Sequence, residues 1–417
     1  MKTIPLVLEQ HAEEAAFLWL LRDAAVGEPH YDLPSLARLD GRVEAHVDGL
    51  RVAGDAAWPL VKAALAHEEP GEAFAAASLA FESGDPARIK TVFDACAAAP
   101  AMLRGVVSAL GWMRWDAARK HAEKLVASAA PAERLVALAA AGVHRTSLGQ
   151  ALLAAARDHD HAVQARAIRT IGELGLLEHA PLLQRRITTS TPDLKSAIRF
   201  WAAWSLALRT GDPNAMTHLK DVAKVDAGRR LRALAVMLRR LTIGEGHNGL
   251  KRLQESPALA RPAVQAAGIL GDPALVPWLL EKMKEPPLAR LAGEAFSMIT
   301  GCDLAYENFD GDKPEGFKAG PTDDPKDENV AMDSDENLPW PKLELVTKWW
   351  NERSRNFQSG ARHLAGQPVT PEHCAGVLRT GKQRQRAAAA LELAIFHPKE
   401  PLFEVRAPAM RQSALLR

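Results

Sequence analysis

The sequence predicts an all-α protein: an α-solenoid of stacked helix pairs preceded by an N-terminal helical cap. Hydrophobic residues make up 47% of the 417-residue chain, whereas aromatic residues, which favour strands, make up only 6%. The apolar stretches consist mostly of Ala and Leu, which have high helix propensity. A Gly-Asp-Pro turn signature recurs at Gly84, Gly211 and Gly271, at multiples of about 30 residues, a spacing typical of helical repeats.

Residues 1–69 predict the cap. An apolar helix is expected over 9–25, a second over 31–51 with Asp32 and Pro34 as its start signals, and a third over 58–67. An open array of repeats leaves its core uncovered at the end, so these helices are expected to cover it.

Residues 70–302 predict the repeat solenoid, with about seven units of roughly 30 residues each. An Ala/Leu/Ile-rich stretch precedes each turn and a more amphipathic stretch follows it. Gly in the signature tolerates the left-handed conformation that ends a helix, Asp caps the next helix, and Pro suits its first turn.

Residues 303–341 predict an acidic irregular insertion. Positions 303–336 hold 12 acidic and 3 basic residues together with several Gly and Pro residues, a composition that favours an irregular or flexible segment. Residues 342–417 predict a C-terminal helical region, with helices over 343–358 and 383–396 and a further segment from Leu402 onward.

The repeat period and turns such as that at 266–273 (Ala-Ala-Gly-Ile-Leu-Gly-Asp-Pro) resemble HEAT-like repeats of the phycobilisome-lyase type. That scaffold serves many roles, so the resemblance implies a fold and not an activity.

A second resemblance spans nearly the whole chain. Residues 9–20 and 31–51 resemble the opening signature of a proteobacterial family of uncharacterised proteins, and 299–304, 323–325, 338–341 and 360–366 resemble its C-terminal signature. Genes of that family tend to lie in type VI secretion loci, beside spike-tip and effector genes. The resemblance therefore implies a role in type VI secretion but implies no catalytic residues.

The sequence contains no recognisable catalytic motif, and we predict a non-enzymatic protein without a cofactor. Cys96, Cys302 and Cys374 lie far apart and lack metal-ligand spacing. Residues 158–161 (Asp-His-Asp-His) are the most ligand-like cluster. They fit a solvated turn and helix cap, or alternatively a metal site, although a usual zinc motif has a second ligand pair.

Tryptophan pairs and the acidic insertion supply the candidate protein-binding residues. Trp112 and Trp115 share a helix face beside a turn, and they either pack in the core or form a binding edge. Aromatic side chains next to an acidic segment can anchor a protein partner, or they can pack on the last repeats. The candidate residues are Trp340, Trp349, Trp350, Asp323, Asp324, Trp112 and Trp115.

Trp201 and Trp204 suggest an alternative of another class. They lie near several arginines between 199 and 240, and HEAT-like DNA glycosylases use Trp and Asp in a concave basic groove. Core packing with exposed arginines explains the same pattern. A net charge of +1 also disfavours a general nucleic-acid binder.

The predicted function is that of an adaptor or chaperone that holds a type VI spike-tip or effector protein. An immunity protein that neutralises a cognate toxin is the alternative, because the acidic insertion could cover a basic nuclease surface. The sparse cysteines, the short apolar stretch at the N-terminus and the lack of a membrane-spanning apolar run predict a cytoplasmic protein that does not contact a membrane.

Overall fold

The computed structural model describes residues 4–188, 193–321, 326–328 and 330–417. Within these ranges the chain is mostly helical, and its strands form only two antiparallel pairs of two residues each. The α-helices are α1 (Pro5–Ala25), α2 (Leu33–Ala53), α3 (Trp58–Ala64), α4 (Pro70–Ser83), α5 (Pro86–Ala98), α6 (Leu103–Trp112), α7 (Trp115–Val126), α8 (Pro131–His144), α9 (Gln150–Ala155), α10 (His161–Leu174), α11 (Ala180–Ile187), α12 (Ala197–Thr210), α13 (Pro213–Val225), α14 (Ala227–Arg240), α15 (Ile243–Gln254), α16 (Ala260–Leu270), α17 (Val276–Lys282), α18 (Pro286–Thr300), α19 (Leu343–Arg353), α20 (Pro371–Thr380), α21 (Gln383–Phe396) and α22 (Ala409–Leu415).

The strands form two short ladders. Strand β1 (Asp310–Gly311) pairs with β2 (Trp340–Pro341), and β3 (His363–Leu364) pairs with β4 (Gln367–Pro368). The first ladder joins the two ends of the predicted insertion.

The predicted all-α solenoid is confirmed. From α4 to α17 the even-numbered helices are the more buried ones. They pack on one another, as α4 does on α6 and α14 on α16, and odd-numbered helices such as α7, α13 and α15 pack on the even-numbered helix that follows. The turn chemistry is as predicted: Gly84 and Gly271 end their helices in the left-handed conformation, and Asp85, Asp212 and Asp272 accept hydrogen bonds from the first backbone N–H groups of the segments they cap.

The chain divides into two compact units. The first unit comprises Met1–Gly27, Tyr31–Arg209 and His397–Arg417, and the second comprises Glu28–His30 and Thr210–Phe396. The C-terminal segment therefore lies in the same unit as the N-terminal helices. The proposed limits at 69, 302 and 341 stay predictions.

The first unit has the predicted N-terminal helices at one end. Helix α1 packs on α2 and α4, and Asp32 caps α2 through the backbone N–H of Ser35. The aromatic core is formed where the Trp19 ring stacks on Phe74 at 5.4 Å and Phe74 meets Trp112 edge-on at 5.3 Å. The rings join α1, α4 and α6, so the cap and the first repeats share one apolar core.

A segment that we call the first strap, residues 398–412, crosses the C-terminal ends of α6, α8 and α10. The Leu402 backbone N–H donates to the Glu173 carbonyl at 2.7 Å, and the Arg145 guanidinium donates to the Leu402 carbonyl. Arg411 Nη2 donates to the Gly111 carbonyl at 2.6 Å. The last carbonyls of a helix lack partners within the helix, so the strap satisfies groups that would otherwise be buried without them.

The second unit contains an equivalent segment, the second strap, residues 360–369. It crosses the C-terminal ends of α14, α16 and α18. Backbone N–H groups of His363 and Ala365 donate to Gly271 O at 2.8 Å and Met298 O at 2.7 Å. The Arg362 guanidinium donates to the carbonyls of Leu238 at 2.6 Å and Arg239 at 2.9 Å.

The C-terminal helices differ in part from the prediction. Helix α21 occupies the predicted range, whereas α19 ends at Arg353 and not at 358. Helix α20 was not anticipated, and the segment from Leu402 is irregular until α22 begins at Ala409 because it serves as a strap. In the described part of the chain, no helix combines the length and the apolar character that crossing a membrane requires.

Candidate functional site

The second unit contains a cavity of about 750 Å³, which we call the insertion cavity. Helix α18 supplies one wall with Glu294, Ser297 and Met298, and the start and end of the insertion supply two more through residues 301–306 and 336–339. The end of α20 and the start of α21 close it. The volume lies within the usual range of ligand sites, about 300–1,000 Å³.

An ion pair lies in the wall of this cavity. Arg384 Nη1 donates to Glu294 Oε1 at 2.7 Å, and the Glu294 side chain is only 17% exposed. Burial raises the pKa of Glu294, Arg384 opposes that effect only in part, and the nearby Asp335 and Glu28 raise it further. The cavity therefore holds a carboxyl group that is costly to ionise, a feature typical of functional sites.

The Cys302 thiol, which also lies in the wall, is chemically quiet. Burial, followed by Glu307 and Asp303, raises the pKa of the Cys302 thiol to about 12. A thiol with such a pKa stays protonated near neutral pH, and the thiol form is a poor nucleophile. This environment favours recognition over covalent chemistry.

The insertion is fastened to the second unit by arginines of the repeats. Arg261 forms a two-pronged ion pair with Asp335, at 2.7 and 2.8 Å. Arg290 donates to Asp333 Oδ2 at 2.6 Å and to the Asp335 carbonyl at 2.8 Å. Although burial opposes it, the hydrogen bond from Arg290 holds the pKa of Asp333 below its usual range. Two of the insertion's carboxylates therefore have a structural role.

Other side chains of the insertion point to solvent. Tyr306, at the rim of the cavity, is 82% exposed, and Val330 and Met332 are 81% and 69% exposed. Asp310, Asp312, Glu315 and Glu336 are exposed as well. The insertion therefore presents both negative charge and apolar side chains to solvent.

The predicted tryptophans of the C-terminal part pack within the second unit. The Arg290 guanidinium lies 4.5 Å from the centre of the Trp340 ring, and Phe317 meets the same indole at 5.1 Å. Trp350 is only 8% exposed, and both Trp349 and Trp350 contact Phe296. Trp340 and Trp349 are only half-buried, so part of each side chain remains accessible. Asp323 and Asp324 lie outside the described residues.

Trp112 and Trp115 are half-buried in the first unit. Trp112 packs on Phe74, and Trp115 lies 5.0 Å from the ring of His144. Burial, together with the charge of Arg411, lowers the pKa of His144 to about 4, so Trp115 has a neutral neighbour near pH 7. The two indoles thus contribute to packing between repeats.

The predicted turn at 158–161 acts as a structural connection. Asp158 pairs with Arg134 at 2.8 Å, and Asp160 caps α10 by accepting from the backbone N–H groups of Ala162 and Val163. His159 and His161 are exposed. Among the described residues, no three or more His, Cys, Asp or Glu side chains lie together in a way that could hold a metal ion.

The pair Trp201 and Trp204 packs on neighbouring repeats of the first unit. The two rings meet edge-on at 5.5 Å, Trp204 is 7% exposed, and the Arg169 guanidinium lies 4.4 Å from the Trp201 ring. Arg209 is buried and donates to the Gly172 carbonyl at 2.7 Å. These groups are occupied by contacts within the fold.

The insertion cavity was missed by the sequence analysis because its walls are distant in sequence. Glu294 and Arg384 are 90 residues apart, and no local pattern connects them. One signal was present, however. Two of the stretches on which the predicted resemblance to a secretion-associated family was based, 299–304 and 338–341, both contribute residues to this one cavity.

Comparison with known proteins supports the class of fold. A family model described as HEAT repeats matches residues 149–239, the range from the start of α9 to near the end of α14. No curated protein matches the chain. Proteins built from HEAT repeats generally bind other proteins, and the chain is similar to them over this range.

Proposed function

We propose that this chain is a non-enzymatic protein-binding scaffold whose contact surface is the outer face of the insertion around the mouth of the insertion cavity. One observation carries the proposal. The repeats hold the insertion in place through Arg261 and Arg290, while exposed acidic and apolar side chains remain beside a cavity of about 750 Å³. A central apolar anchor with a charged rim is the usual anatomy of a protein interface.

The chemistry of this surface defines the partner. A basic surface would complement the exposed carboxylates, and an apolar side chain of the partner would contact Tyr306 or enter the cavity. The partner we propose is a spike-tip or effector protein of type VI secretion, held before export. The support is that the stretches resembling the secretion-associated family line this cavity.

An immunity protein is the second candidate, and the negative charge of the insertion favours it. Acidic side chains such as Asp310, Asp312 and Glu315 could cover a basic toxin surface. Deletion of the gene distinguishes the two functions. Cells without an immunity protein are killed by sibling cells that carry the toxin, whereas cells without an adaptor only stop secreting.

The proposal is tested by affinity purification of the tagged chain from cells that express the locus, followed by mass spectrometry. We expect a spike-tip or effector protein to co-purify with the wild type and to be lost with the double variant Tyr306→Ala, Met332→Ala. Met410→Ala, which removes an equally exposed side chain (84%) from α22 in the first unit, is the matched control. Recovery of no secretion protein, or equal recovery with the double variant, would reject the proposal.

A further inference from the structure

The first unit contains a second cavity, of about 320 Å³, which we call the cationic cavity. Its walls come from α1, α6, α8 and α10 and from the first strap. Trp19 and Trp112 supply aromatic surface, and the Trp19 Nε1–H donates to Ser108 Oγ at 2.8 Å, which fixes the orientation of that indole. The cavity thus combines a rigid aromatic wall with the charged ends of several arginines.

The charge of this cavity is unbalanced. It is lined by five guanidinium groups and three carboxylates, an excess of two positive charges: Arg22, Arg104, Arg166, Arg169 and Arg406 against Asp23, Glu173 and Glu404. Arg145, Arg411 and Asp40 contact these residues from behind and do not reverse the sign.

The carboxylates are shared among the arginines. Asp23 pairs with both Arg104 and Arg406, and Glu173 pairs with Arg166 at 2.5 Å and Arg169 at 2.7 Å. One carboxylate cannot satisfy all the N–H groups of two guanidiniums, each of which carries five donors. Donors therefore remain available to a further acceptor.

Two buried donors at or next to the cavity are unmatched. Arg166 lines the cavity, and Arg411 donates through Nη2 to the carbonyl of Gly111, which also lines it. Arg166 Nε and Arg411 Nη1 are buried and donate no hydrogen bond to any described residue. Buried donors normally have a partner, so such a pair next to a positively charged cavity indicates that an acceptor is needed there. Arg22 differs, since it donates to Asp40 and to two carbonyls of the strap.

Three of the arginines that line the cavity are exposed to solvent. The side chains of Arg104, Arg169 and Arg406 are 55%, 36% and 49% exposed, whereas that of Arg22 is 5% exposed. The guanidiniums at the mouth are therefore reachable from solvent. Planar guanidinium groups bind phosphate oxygens through two parallel hydrogen bonds, which suits them to a compact dianion.

We propose that the cationic cavity binds a small organic phosphate. The phosphate group would contact Arg104, Arg169 and Arg406, and the excess of two positive charges over the whole lining of the cavity matches its charge. The organic part would lie against the indole of Trp112. The cavity volume, at the lower end of the range for ligand sites, limits the ligand to a small body.

The test is isothermal titration calorimetry of the full chain with ribose 5-phosphate as the probe, at constant ionic strength. Ribose without phosphate is the ligand control. We expect saturable binding of ribose 5-phosphate, none of ribose, and at least tenfold weaker binding by the double variant Arg104→Gln, Arg169→Gln. Arg119→Gln changes a similarly exposed arginine (62%) on α7 away from the cavity and should bind like the wild type.

Two results would overturn the proposal: no saturable binding of ribose 5-phosphate, or equal binding by the wild type and the double variant. If ribose 5-phosphate does not bind, but a short DNA duplex binds the wild type and not the double variant, the cavity is instead assigned to nucleic acid. If the double variant does not fold, Arg406→Gln, whose side chain is half exposed, provides the same comparison with one substitution.

Discussion

The two units differ in the groups that hold a strap against the C-terminal ends of their buried helices. In each, a strap crosses the C-terminal ends of the more buried helices and satisfies their last carbonyls. The second strap uses three backbone N–H groups, those of His363, Ala365 and Gly366, and one guanidinium, that of Arg362. The first strap involves three guanidiniums: Arg411 donates to the Gly111 carbonyl, and Arg22 and Arg145 donate to carbonyls of the strap itself. Backbone amides add no charge, whereas each guanidinium adds one positive charge. The groups that hold the first strap therefore make that part of the first unit positive.

The pKa values of two buried glutamates, one in each unit, are shifted in opposite directions. Glu173 on α10 and Glu294 on α18 are both largely buried, and burial alone raises the pKa of a carboxyl group. Around Glu173 the guanidiniums of Arg166, Arg169 and Arg145 outweigh burial and hold its pKa well below the usual range. Glu294 has one guanidinium partner, and its pKa is raised. The number of arginines around each buried glutamate therefore determines whether its pKa is lowered or raised.

The largest effect is expected from Glu173→Gln. It leaves three guanidiniums without their shared carboxylate, and breaking a buried ion pair from one side typically costs about 3–5 kcal/mol. Urea unfolding at pH 7 should show that loss of stability, whereas Glu178→Gln, an exposed glutamate in the next turn, should change little.

The pH dependence of this effect has a definite sign. Because the folded-state pKa of Glu173 is lowered, its contribution is fully present above its ordinary pKa of 4.5 and is lost as the pH falls toward the folded-state value. The difference in the free energy of unfolding between the wild type and Glu173→Gln should therefore decrease as the pH falls below 4.5. A difference that stays constant down to the lowest pH at which the protein is folded contradicts the assigned charge.

Two Gly-Asp-Pro turns allow the strap to be tested separately from the turn. Gly84 and Gly271 have nearly the same backbone angle (φ 68° and 73°). A Cβ on Gly84 would meet nothing within 4 Å, whereas one on Gly271 would lie 2.4 Å from the His363 carbonyl oxygen of the second strap. Gly84→Ala should cost about 1–2 kcal/mol from the left-handed backbone alone.

Gly271→Ala should cost roughly 1–3 kcal/mol more, because the strap must also move. Urea unfolding gives both values, and hydrogen exchange at the ends of α14, α16 and α18 should rise only in Gly271→Ala. Equal costs for the two variants would mean that the second strap is not held tightly against the turn.

Arg362→Ala tests the single guanidinium of the second strap. It removes donors to the carbonyls of Leu238, Arg239 and Leu270, and leaving buried acceptors without partners costs about 1–3 kcal/mol in total. The exposed Arg355→Ala is the control. If both variants unfold at the same urea concentration, the backbone amides alone hold this strap.

The smallest effect is expected from Glu294→Gln and has the opposite sign. Because the folded-state pKa of Glu294 is raised, ionisation destabilises the fold, and this cost is fully present above the folded-state pKa and absent below 4.5. The variant should be more stable than the wild type at pH 7–8 by up to about 1 kcal/mol, the ordinary scale of a single substitution. The two proteins should be equally stable near pH 4, and a variant that is less stable at pH 7 would show that the pair with Arg384 outweighs burial.

The sequence predicted what depends on neighbours in the chain. Gly84, Asp85 and Pro86 determine a turn through their own backbone preferences, so the helix pairs and their caps followed from short patterns. The straps did not, because the pairing of Leu402 with Glu173 joins residues that no local pattern relates. The sequence from Leu402 onward was therefore interpreted as part of the C-terminal helical region.

The candidate binding residues show the same limit. Trp340 was predicted as a binding residue because it lies beside an acidic insertion, yet the partner of its ring is Arg290, in a helix 50 positions earlier. Likewise, the cationic cavity draws on α1, α6, α8, α10 and the first strap, none of which carries an unusual motif. The net charge of the whole chain is only +1, so the composition did not show that arginines outnumber carboxylates in the lining of this cavity.

A pH titration by NMR of the protein labelled with ¹³C at the glutamate carboxyl groups tests the contrast between the units most directly. Glu173→Gln and Glu294→Gln assign the two signals. We expect the Glu294 carboxyl to titrate above the ordinary glutamate pKa of 4.5 and the Glu173 carboxyl to remain ionised at the lowest pH at which the protein is folded. If Glu173 instead titrates at or above the pKa of Glu294, the arginines of the first unit do not control its charge, and the contrast between the two units is wrong.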